Sequence, residues 1–456
     1  MNSDPTMNMA MGDDRYMGQD GNMEMTPDKI RVAIVDIDGV LRGKYITSDK
    51  YESIKKNGMG FCSVIFSWDV NDECYDNVES TGLHTGYHDI IAKVDKKTET
   101  LIPWSNTLFY MMDFPNFEAC PRNLLKNIVS KGRKMGYQAN FGLEYEWFNF
   151  AETSNELHEK EFKNMKKMNH GNFGYSHLRL SQNGNYCNEL MEKLAAVNIE
   201  IEGLHTETGP GAYEIALKYC ETLKMADTAV FFKTIVKEVS NGYGITPTFM
   251  AKIDKDIAGC GCHIHQSLSE IESGKNIFFD GTEENNMSEV MKYFLAGQLY
   301  CLPYILPFFA PNINSYKRLV EGYWAPTRSS WGVENRTTTH RVVKARKNTR
   351  IECRVGGADL NPYLAIAASL ASGLYGIRKK LELPKKIDGN AYKSELESLP
   401  KDLAGAVEKM KSKISLLNDL FGEKFVNHFI KTREWECKKY REHVTDWEKK
   451  RYLEII

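Results

Sequence analysis

The sequence has no excess of positive charge and no paired cysteine framework. Its 456 residues carry a formal net charge of −2 with no dense basic patch, so nucleic-acid binding is not favoured. Its ten cysteines are scattered along the chain. Because no secretory signal accompanies them, they indicate reduced thiols in a cytoplasmic protein.

The sequence also shows no pattern typical of a targeting peptide or a membrane-spanning segment. Residues 1–27 are rich in Met and polar residues and lack an apolar core, so we expect a mostly disordered tail rather than a signal or transit peptide. One uncharged run, residues 293–316, contains Pro303, Pro307 and Pro311. These prolines predict a buried helix followed by an irregular segment, not a membrane span. There is no Walker-type glycine-rich loop and no G-x-G-x-x-G motif.

The order of apolar runs predicts two domains after the tail. Residues 30–36 form a β-branched run followed by a D-G turn, and short apolar runs continue to about residue 115, which indicates a small β-rich domain over 28–117. In residues 118–456 helical and strand patterns alternate. This pattern is typical of a mixed class with a large antiparallel component.

The stretch FGLEYEWF, residues 141–148, places two carboxylates among large apolar residues. In a strand, Glu144 and Glu146 share one face, while Leu143, Tyr145 and Trp147 share the other. Two ionised carboxylates side by side need a basic partner, a shared proton or a metal ion if they are buried. The alternative is a solvent-facing strand edge.

A second pair of acids flanks a tight turn. Glu207 and Glu214 stand on either side of Gly-Pro-Gly, and this turn would let both carboxylates face one site. The alternative is a surface hairpin with two solvated acids.

The stretch CGCHIH, residues 260–265, has the residue types of a zinc site. In a strand, however, Cys260 and Cys262 share one face and His263 and His265 the other, which argues against a four-ligand zinc cluster. The histidine pair could instead meet the acids. A zinc-binding module remains an alternative.

Arginines complete the set of charged candidates. Arg350, Glu352 and Arg354 alternate on one strand face, which suits either a salt-bridge ladder or one metal ligand with two anion-binding groups. Residues 314–341 are rich in Gly, Pro and Ser and read as an active-site loop rather than a helix; they supply Arg318, Arg336 and Arg341. Carboxylates with one imidazole suit Mg²⁺ or Mn²⁺, and two such ions beside several arginines favour phosphoryl transfer.

Six motifs in this order resemble the glutamine synthetase family. They are LEYEWF (143–148), HTETGPGAYEIAL (205–217), GCGCHIHQSL (259–268), NSYKRLV (314–320), NRTTTHR (335–341) and RIECRVGGADLNPYL (350–364). The resemblance implies an α+β fold: a small β-grasp N-terminal domain, and a large catalytic domain with a curved antiparallel sheet flanked by helices. It also implies a double-ring, dodecamer-like homo-oligomer with active sites between subunits.

The implied chemistry is ATP-dependent ligation of glutamate to an amine through a γ-glutamyl phosphate. By resemblance, one Mg²⁺ or Mn²⁺ ion is bound by Glu146, Glu207 and Glu214, and a second by Glu144, His263 and Glu352. The residues similar to ATP contacts are Arg341, Arg350, His265, Ser267 and Tyr219. Those similar to glutamate contacts are Arg318, Arg354 and the Gly259 backbone, and Arg336 resembles the residue that stabilises the transferring phosphoryl group.

Two departures indicate an organic amine rather than ammonia as the second substrate. Ammonia-using members carry a flap Glu in a PGYEAP stretch, where this chain has EGYWAP with Trp324; an indole cannot act as a base but offers an apolar and cation–π surface. Ala258 replaces an expected Asn. The stretch WGVENRTT resembles the γ-glutamylpolyamine, γ-glutamylmethylamide and γ-glutamylethanolamide synthetases, and Asp69 resembles an acid that the neighbouring subunit lends to the amine site.

Three alternatives to this function stay open. They are glutamine synthetase activity, a non-catalytic family member, and the zinc-binding module. The amine itself is also open, because a polyamine would need acidic residues in the pocket and a small amine would need a small pocket.

Overall fold

A computed structural model describes residues 27–456. The predicted disordered tail therefore lies outside the described residues, except for Pro27. The described part contains two sheets, both mainly antiparallel, with helices packed around them. The predicted α+β class is confirmed. The predicted division between residues 117 and 118 stays a prediction.

The first sheet is built from the N-terminal quarter of the chain. Within the described residues its strands are β1 (Lys29–Val35), β2 (Leu41–Thr47), β3 (Met59–Cys62), β4 (Asp89–Val94), β5 (Thr100–Ile102) and β6 (Thr107–Asp113). The strand order is β2-β1-β6-β4-β3, and β5 pairs with β6. The pair β1–β6 is parallel. The predicted hairpin after residues 30–36 is confirmed, because β1 pairs with β2 in antiparallel register.

The second sheet carries the residues singled out above. Within the described residues its strands are β7 (Tyr137–Phe150), β8 (Ile201–Thr206), β9 (Ala212–Glu221), β10 (Thr246–Thr248), β11 (Cys262–Glu270), β12 (Trp331–Val333), β13 (His340–Val343) and β14 (Arg350–Cys353). Their order is β12-β13-β14-β11-β7-β9-β8, with β10 paired to β7. The long strand β7 therefore lies at the centre, between the two strands β9 and β11.

Helices surround both sheets. In the described part they are α1 (Ser48–Asn57), α2 (Pro121–Lys134), α3 (Ser154–Glu159), α4 (His177–Ser181), α5 (Gly184–Ala196), α6 (Thr222–Gly242), α7 (Glu289–Ile305), α8 (Ser315–Arg318), α9 (Pro362–Lys379), α10 (Leu403–Lys411), α11 (Ile414–Phe421), α12 (Glu423–Glu442) and α13 (Asp446–Tyr452). Proline begins α2 and α9 at the first helical position, where its missing N–H has no intrahelical partner to lose.

One face of β7 packs into the core while the other stays free for the site. Tyr145 and Trp147 are fully buried, and their rings lie 5.7 and 6.1 Å from that of Phe232 on α6. The large apolar side chains thus hold the strand against the helix layer. Since alternate residues face opposite sides, the same packing directs Glu144 and Glu146 away from the core.

Two local predictions are wrong in part. The composition of TPTFMAKID, residues 246–254, predicts a strand over the whole segment, but the strand covers only Thr246–Thr248. The predicted loop 314–341 begins with the short helix α8, which contains Arg318. The uncharged run is as predicted: α7 continues through Pro303 to Ile305, and irregular chain follows a single 3₁₀ turn. Among the described residues no helix has the length and apolar character to cross a bilayer.

Candidate active site

The site begins with the two carboxylates on β7. Sheet register places Glu144 opposite His263 on β11 and Glu146 opposite Glu214 on β9. The buried neighbour Tyr145 faces the other way. The predicted sharing of one face by Glu144 and Glu146 is therefore confirmed, and the strands on either side bring further ligand-type residues beside them.

A first cluster joins three strands. The ligand atoms of Glu144, His263 and Glu352, on β7, β11 and β14, all lie within 4.8 Å of one another. His263 Nδ1 lies 3.2 Å from Glu144 Oε2 and 3.6 Å from Glu352 Oε1. These are the three residues that the resemblance assigns to one cation. His265 Nε2 also contacts Glu144, at 2.8 Å.

The electrostatics of this cluster favour ionised carboxylates. Burial alone would raise the pKa of Glu144, but hydrogen bonds and charge from His263 and His265 outweigh it and hold that pKa well below its usual range. Burial would likewise raise the pKa of Glu352, and the charges of His263 and Arg354 lower it to about 2. Both carboxylates are therefore ionised at neutral pH, the form that a cation ligand needs.

A second cluster contains a histidine that the sequence analysis missed. His205, Glu207 and Glu214 place their ligand atoms within 4.8 Å of one another, and His205 Nε2 lies 3.2 Å from Glu214 Oε1. Glu146, the third residue that the resemblance assigns to this cation, lines one cavity together with Glu207 and Glu214. Its Oε2 accepts a hydrogen bond from the Gly261 N–H at 2.7 Å. The structure thus joins two predicted ligands to His205 and places the third beside them.

The donor chemistry of both clusters fits divalent cations. Burial and the neighbouring charges of Glu146 and Glu214 raise the pKa of Glu207, although the Thr208 N–H and His205 oppose this. A divalent cation among these carboxylates would offset their repulsion. Oxygen donors with one imidazole suit Mg²⁺ or Mn²⁺. Cys260 and Cys262 are both buried, and within residues 27–456 no cysteine joins a cluster of metal-ligand residues, which does not favour the zinc alternative.

Buried arginines border the first cluster. Arg318 and Arg354 are almost fully buried. Arg318 donates to the Val355 and Arg354 carbonyls, while Arg354 and Arg341 both donate to Glu352. Two fixed guanidinium groups close to a cation cluster can bind carboxylate or phosphate oxygens.

Two glycines let the backbone approach these arginines. A Cβ atom on Gly259 would lie 2.3 Å from the Ala251 carbonyl oxygen and 2.8 Å from Arg318 Cγ, and one on Gly261 would lie 2.7 Å from an Arg318 terminal nitrogen. A larger residue at either position would displace the arginine.

Two adjoining cavities meet at Glu144. The first has a volume of about 740 Å³, and four of the five predicted ATP contacts line it: Tyr219, His265, Ser267 and Arg350. Phe279 and Lys347 line it too and were missed, because they lie outside the recognised motifs. The second has a volume of about 490 Å³ and holds the remaining predicted ATP contact, Arg341, as well as Gly259, Arg318, Arg336, Arg354 and the cation-ligand residues. Glu144 lines both.

The flap segment EGYWAP closes one side of the second cavity. Trp324 lines this cavity, has φ of +61° and exposes 60% of its surface. The ring of the preceding Tyr323 also lines it, and the Lys252 ammonium lies 4.0 Å from that ring's centre. The indole therefore gives this cavity wall an aromatic surface and no base at that position.

Asp69 lies outside both cavities of its own chain. Its carboxylate accepts hydrogen bonds from the Asn71 and Glu73 backbone N–H groups and from Trp435 Nε1. The role assigned to it by resemblance therefore stays a prediction.

The comparisons with known proteins agree with this geometry. The model of the glutamine synthetase catalytic domain matches residues 118–452. The chain belongs to the glutamine synthetase family. The family's members are ligases that form γ-glutamyl amides, and this chain is a ligase of that family.

The names of its relatives within the family describe different ligases. The chain is 48% identical to Type-1 glutamine synthetase 2 of Dictyostelium discoideum, over 94% of this chain and 84% of that protein. It is 36% identical to glutamate–isopropylamine ligase of a Pseudomonas species, over 94% of this chain and 95% of that protein. A solved structure described as a GmaS/ADP complex in conformation 1 is similar with a TM-score of 0.83, at 26% identity, over 94% of this chain and 97% of that one.

Proposed function

We propose that this protein is a glutamate–amine ligase that joins the γ-carboxylate of glutamate to an organic amine and releases ADP and phosphate. A γ-carboxylate oxygen attacks the γ-phosphorus of ATP, giving γ-glutamyl phosphate and ADP. The amine nitrogen then attacks the acyl carbon, phosphate leaves, and the nitrogen loses a proton. The meeting of the two cavities at Glu144 supports this order of steps, since the nucleotide can bind on one side of Glu144 and the acceptor on the other.

Each side chain has a proposed role in this reaction. Tyr219, His265, Ser267 and Arg350 bind the nucleotide, and Arg341 and Arg336 bind the phosphoryl oxygens near the junction. Arg318, Arg354 and the Gly259 backbone orient glutamate, because their fixed donors match a carboxylate.

The cation ligands have proposed roles as well. Glu144, His263 and Glu352 would hold one Mg²⁺ or Mn²⁺ ion, and Glu146, Glu207 and Glu214 a second. When bound, such ions supply positive charge that neutralises the phosphate oxygens. We further propose a cytoplasmic double-ring homo-oligomer in which Asp69 of a neighbouring subunit approaches the amine site.

Trp324 is the observation that carries the preference for an organic amine. Ammonium and alkylammonium ions are both protonated at neutral pH and must both lose a proton before they attack, and an indole can accept it from neither, so the preference rests on the contacts that Trp324 offers. The same indole offers apolar and cation–π contact to an alkylammonium ion. The second candidate, glutamine synthesis from ammonium, is favoured by the 48% identical relative whose name is a glutamine synthetase.

Phosphate release tests the proposal. Purified protein with ATP, glutamate and Mg²⁺ is assayed against ammonium, methylamine, ethylamine, isopropylamine and ethanolamine. We expect kcat/KM for at least one organic amine to exceed that for ammonium by about tenfold or more. Glutamine formation from ammonium at equal or higher efficiency would establish the second candidate instead. No phosphate release with any amine, from protein that still binds Mn²⁺, would favour a non-catalytic role.

A further inference from the structure

We infer that the amine site selects a monoamine with an apolar substituent over a diamine or polyamine. This inference rests on the proposed function and names the class of its second substrate. It follows from the carboxylate and guanidinium groups that line the second cavity, and from whether any carboxylate there is free to pair with a second ammonium group.

The acidic side chains of this cavity are all committed to the cation clusters. Within the described residues, the carboxylates that line it are Glu144, Glu146, Glu207, Glu214 and Glu352. Each is a proposed cation ligand, and Glu144 and Glu352 are in addition bound to histidine or arginine side chains. No carboxylate among these lining residues is left over to pair with a second ammonium group.

The remaining charges of the cavity are positive. Arg318, Arg336, Arg341 and Arg354 all line it. An extra ammonium group that entered without an acidic partner would lose hydration and be repelled by these guanidinium groups. Asp69 of a neighbouring subunit is the one further acid proposed near the amine, and a single carboxylate can pair with the one ammonium group that every amine substrate carries, which leaves a second ammonium group without an acidic partner.

The uncharged part of the wall suits an alkyl group. Trp324 and Tyr175 expose 60% and 72% of their surfaces, and with Phe148 and Ala258 they line the same cavity. Aromatic faces bind both an alkyl chain and the single ammonium group next to it. An apolar substituent therefore gains contact where a second charge would be repelled.

Butylamine and putrescine form the matched test, because they share four carbons and differ in the second amino group. With the whole protein, ATP, glutamate and Mg²⁺, we expect kcat/KM for butylamine to exceed that for putrescine by about tenfold or more. Equal or better use of putrescine or spermidine would overturn this inference and leave the proposed function standing. Activity with ammonium alone, or with no amine, would overturn the proposed function and the inference together.

Two variants at the flap isolate the charge effect. The variants are Trp324→Asp and Trp324→Asn. The side chains of aspartate and asparagine have nearly the same shape and differ in charge, and both residues tolerate the positive φ of this position. We expect both to raise KM for butylamine, and Trp324→Asp alone to shift the butylamine-to-putrescine ratio towards putrescine by about tenfold. An equal ratio in the two folded variants would show that acidic charge at this wall does not control selection and would overturn the inference.

Discussion

At the scale of single residues, Glu144 is where the two cavities meet and where the first cluster is centred. It contacts both His263 and His265, and it lines both the cavity assigned to the nucleotide and the one assigned to the acceptor. Its position on a fully packed strand fixes the carboxylate in place. A change of charge here, without a change of shape, therefore probes the site and not the fold.

We predict that Glu144→Gln lowers Mn²⁺ affinity at least about tenfold and abolishes phosphate release. The amide keeps the volume of the side chain but loses the anionic oxygen that a divalent cation needs. Isothermal titration with Mn²⁺ gives the affinity independently of activity. Glu202→Gln is the control, because Glu202 lines the first cavity but is exposed and joins neither cluster. Unchanged Mn²⁺ affinity in Glu144→Gln would contradict the assignment.

The residue scale also shows what sequence alone could predict. The common face of Glu144 and Glu146 follows from period-two alternation within one strand. His205 depends on a pairing between strands, since register places it opposite Glu214. One signal was present: His205 stands two residues before Glu207 in a strand pattern, which puts both on one face.

At the scale of elements, the predictions failed where a partner distant in sequence replaces regular pairing. After Thr248 the chain leaves β10, and the Lys252 backbone N–H and carbonyl pair with the side-chain amide of Asn314. The composition of this segment favours an extended strand. The side chain of Asn314, 62 residues away, makes the hydrogen bonds that the backbone of a neighbouring strand would otherwise make. Local propensity contains no information about such a contact. Long, strongly patterned elements such as α7 and β7 were predicted correctly because their own residues define them.

The contact between α7 and α9 depends on two glycines. A Cβ atom on Gly376 would lie 2.1 Å from the Tyr293 carbonyl oxygen and 2.6 Å from Gly297 Cα. We predict that Gly376→Ala lowers the free energy of unfolding by about 1–3 kcal/mol, because the helices must move apart. Chemical denaturation measures this change.

Gly242→Ala is the matched control for that prediction. Gly242 ends α6, and a Cβ atom there would meet no atom within 4 Å. Alanine at an open helical position should be neutral or stabilising by up to about 1 kcal/mol. Equal stability losses in the two variants would show that the α7–α9 contact tolerates a methyl group.

At the scale of the whole molecule, buried charges connect the first sheet to the helices around the second. Arg122 on α2 pairs with Asp95 and Asp113 of the N-terminal region and with Asp227 on α6. Arg433 on α12 pairs with Asp38, just after β1. These pairs fix how the two parts of the chain fit together, because separating them would leave buried charges without partners.

His428 lies in the same interface and makes its stability depend on pH. Its Nδ1 lies 2.7 Å from Ser80 Oγ, while Nε2 is buried without a partner. Burial, together with the charge of Arg433, lowers the pKa of His428 to about 4. The folded chain therefore keeps this imidazole neutral, whereas the unfolded chain protonates it below about pH 6.5. Because the unfolded state binds the extra proton, stability from this group is complete above pH 6.5 and is lost as the pH falls towards 4.

We predict that His428→Gln flattens the acid side of the stability profile. Wild-type protein should lose up to about 1.4 kcal/mol per pH unit through this group, or about 3 kcal/mol by pH 4, and the variant should not. Denaturation midpoints between pH 7.5 and 4.5 measure the slope. His88→Gln is the control, since His88 is exposed and its replacement should leave the slope unchanged. If wild type and His428→Gln lose stability in parallel as the pH falls, His428 does not stay neutral in the folded interface, and the acid sensitivity belongs to other buried groups such as His340, whose pKa burial lowers to about 3.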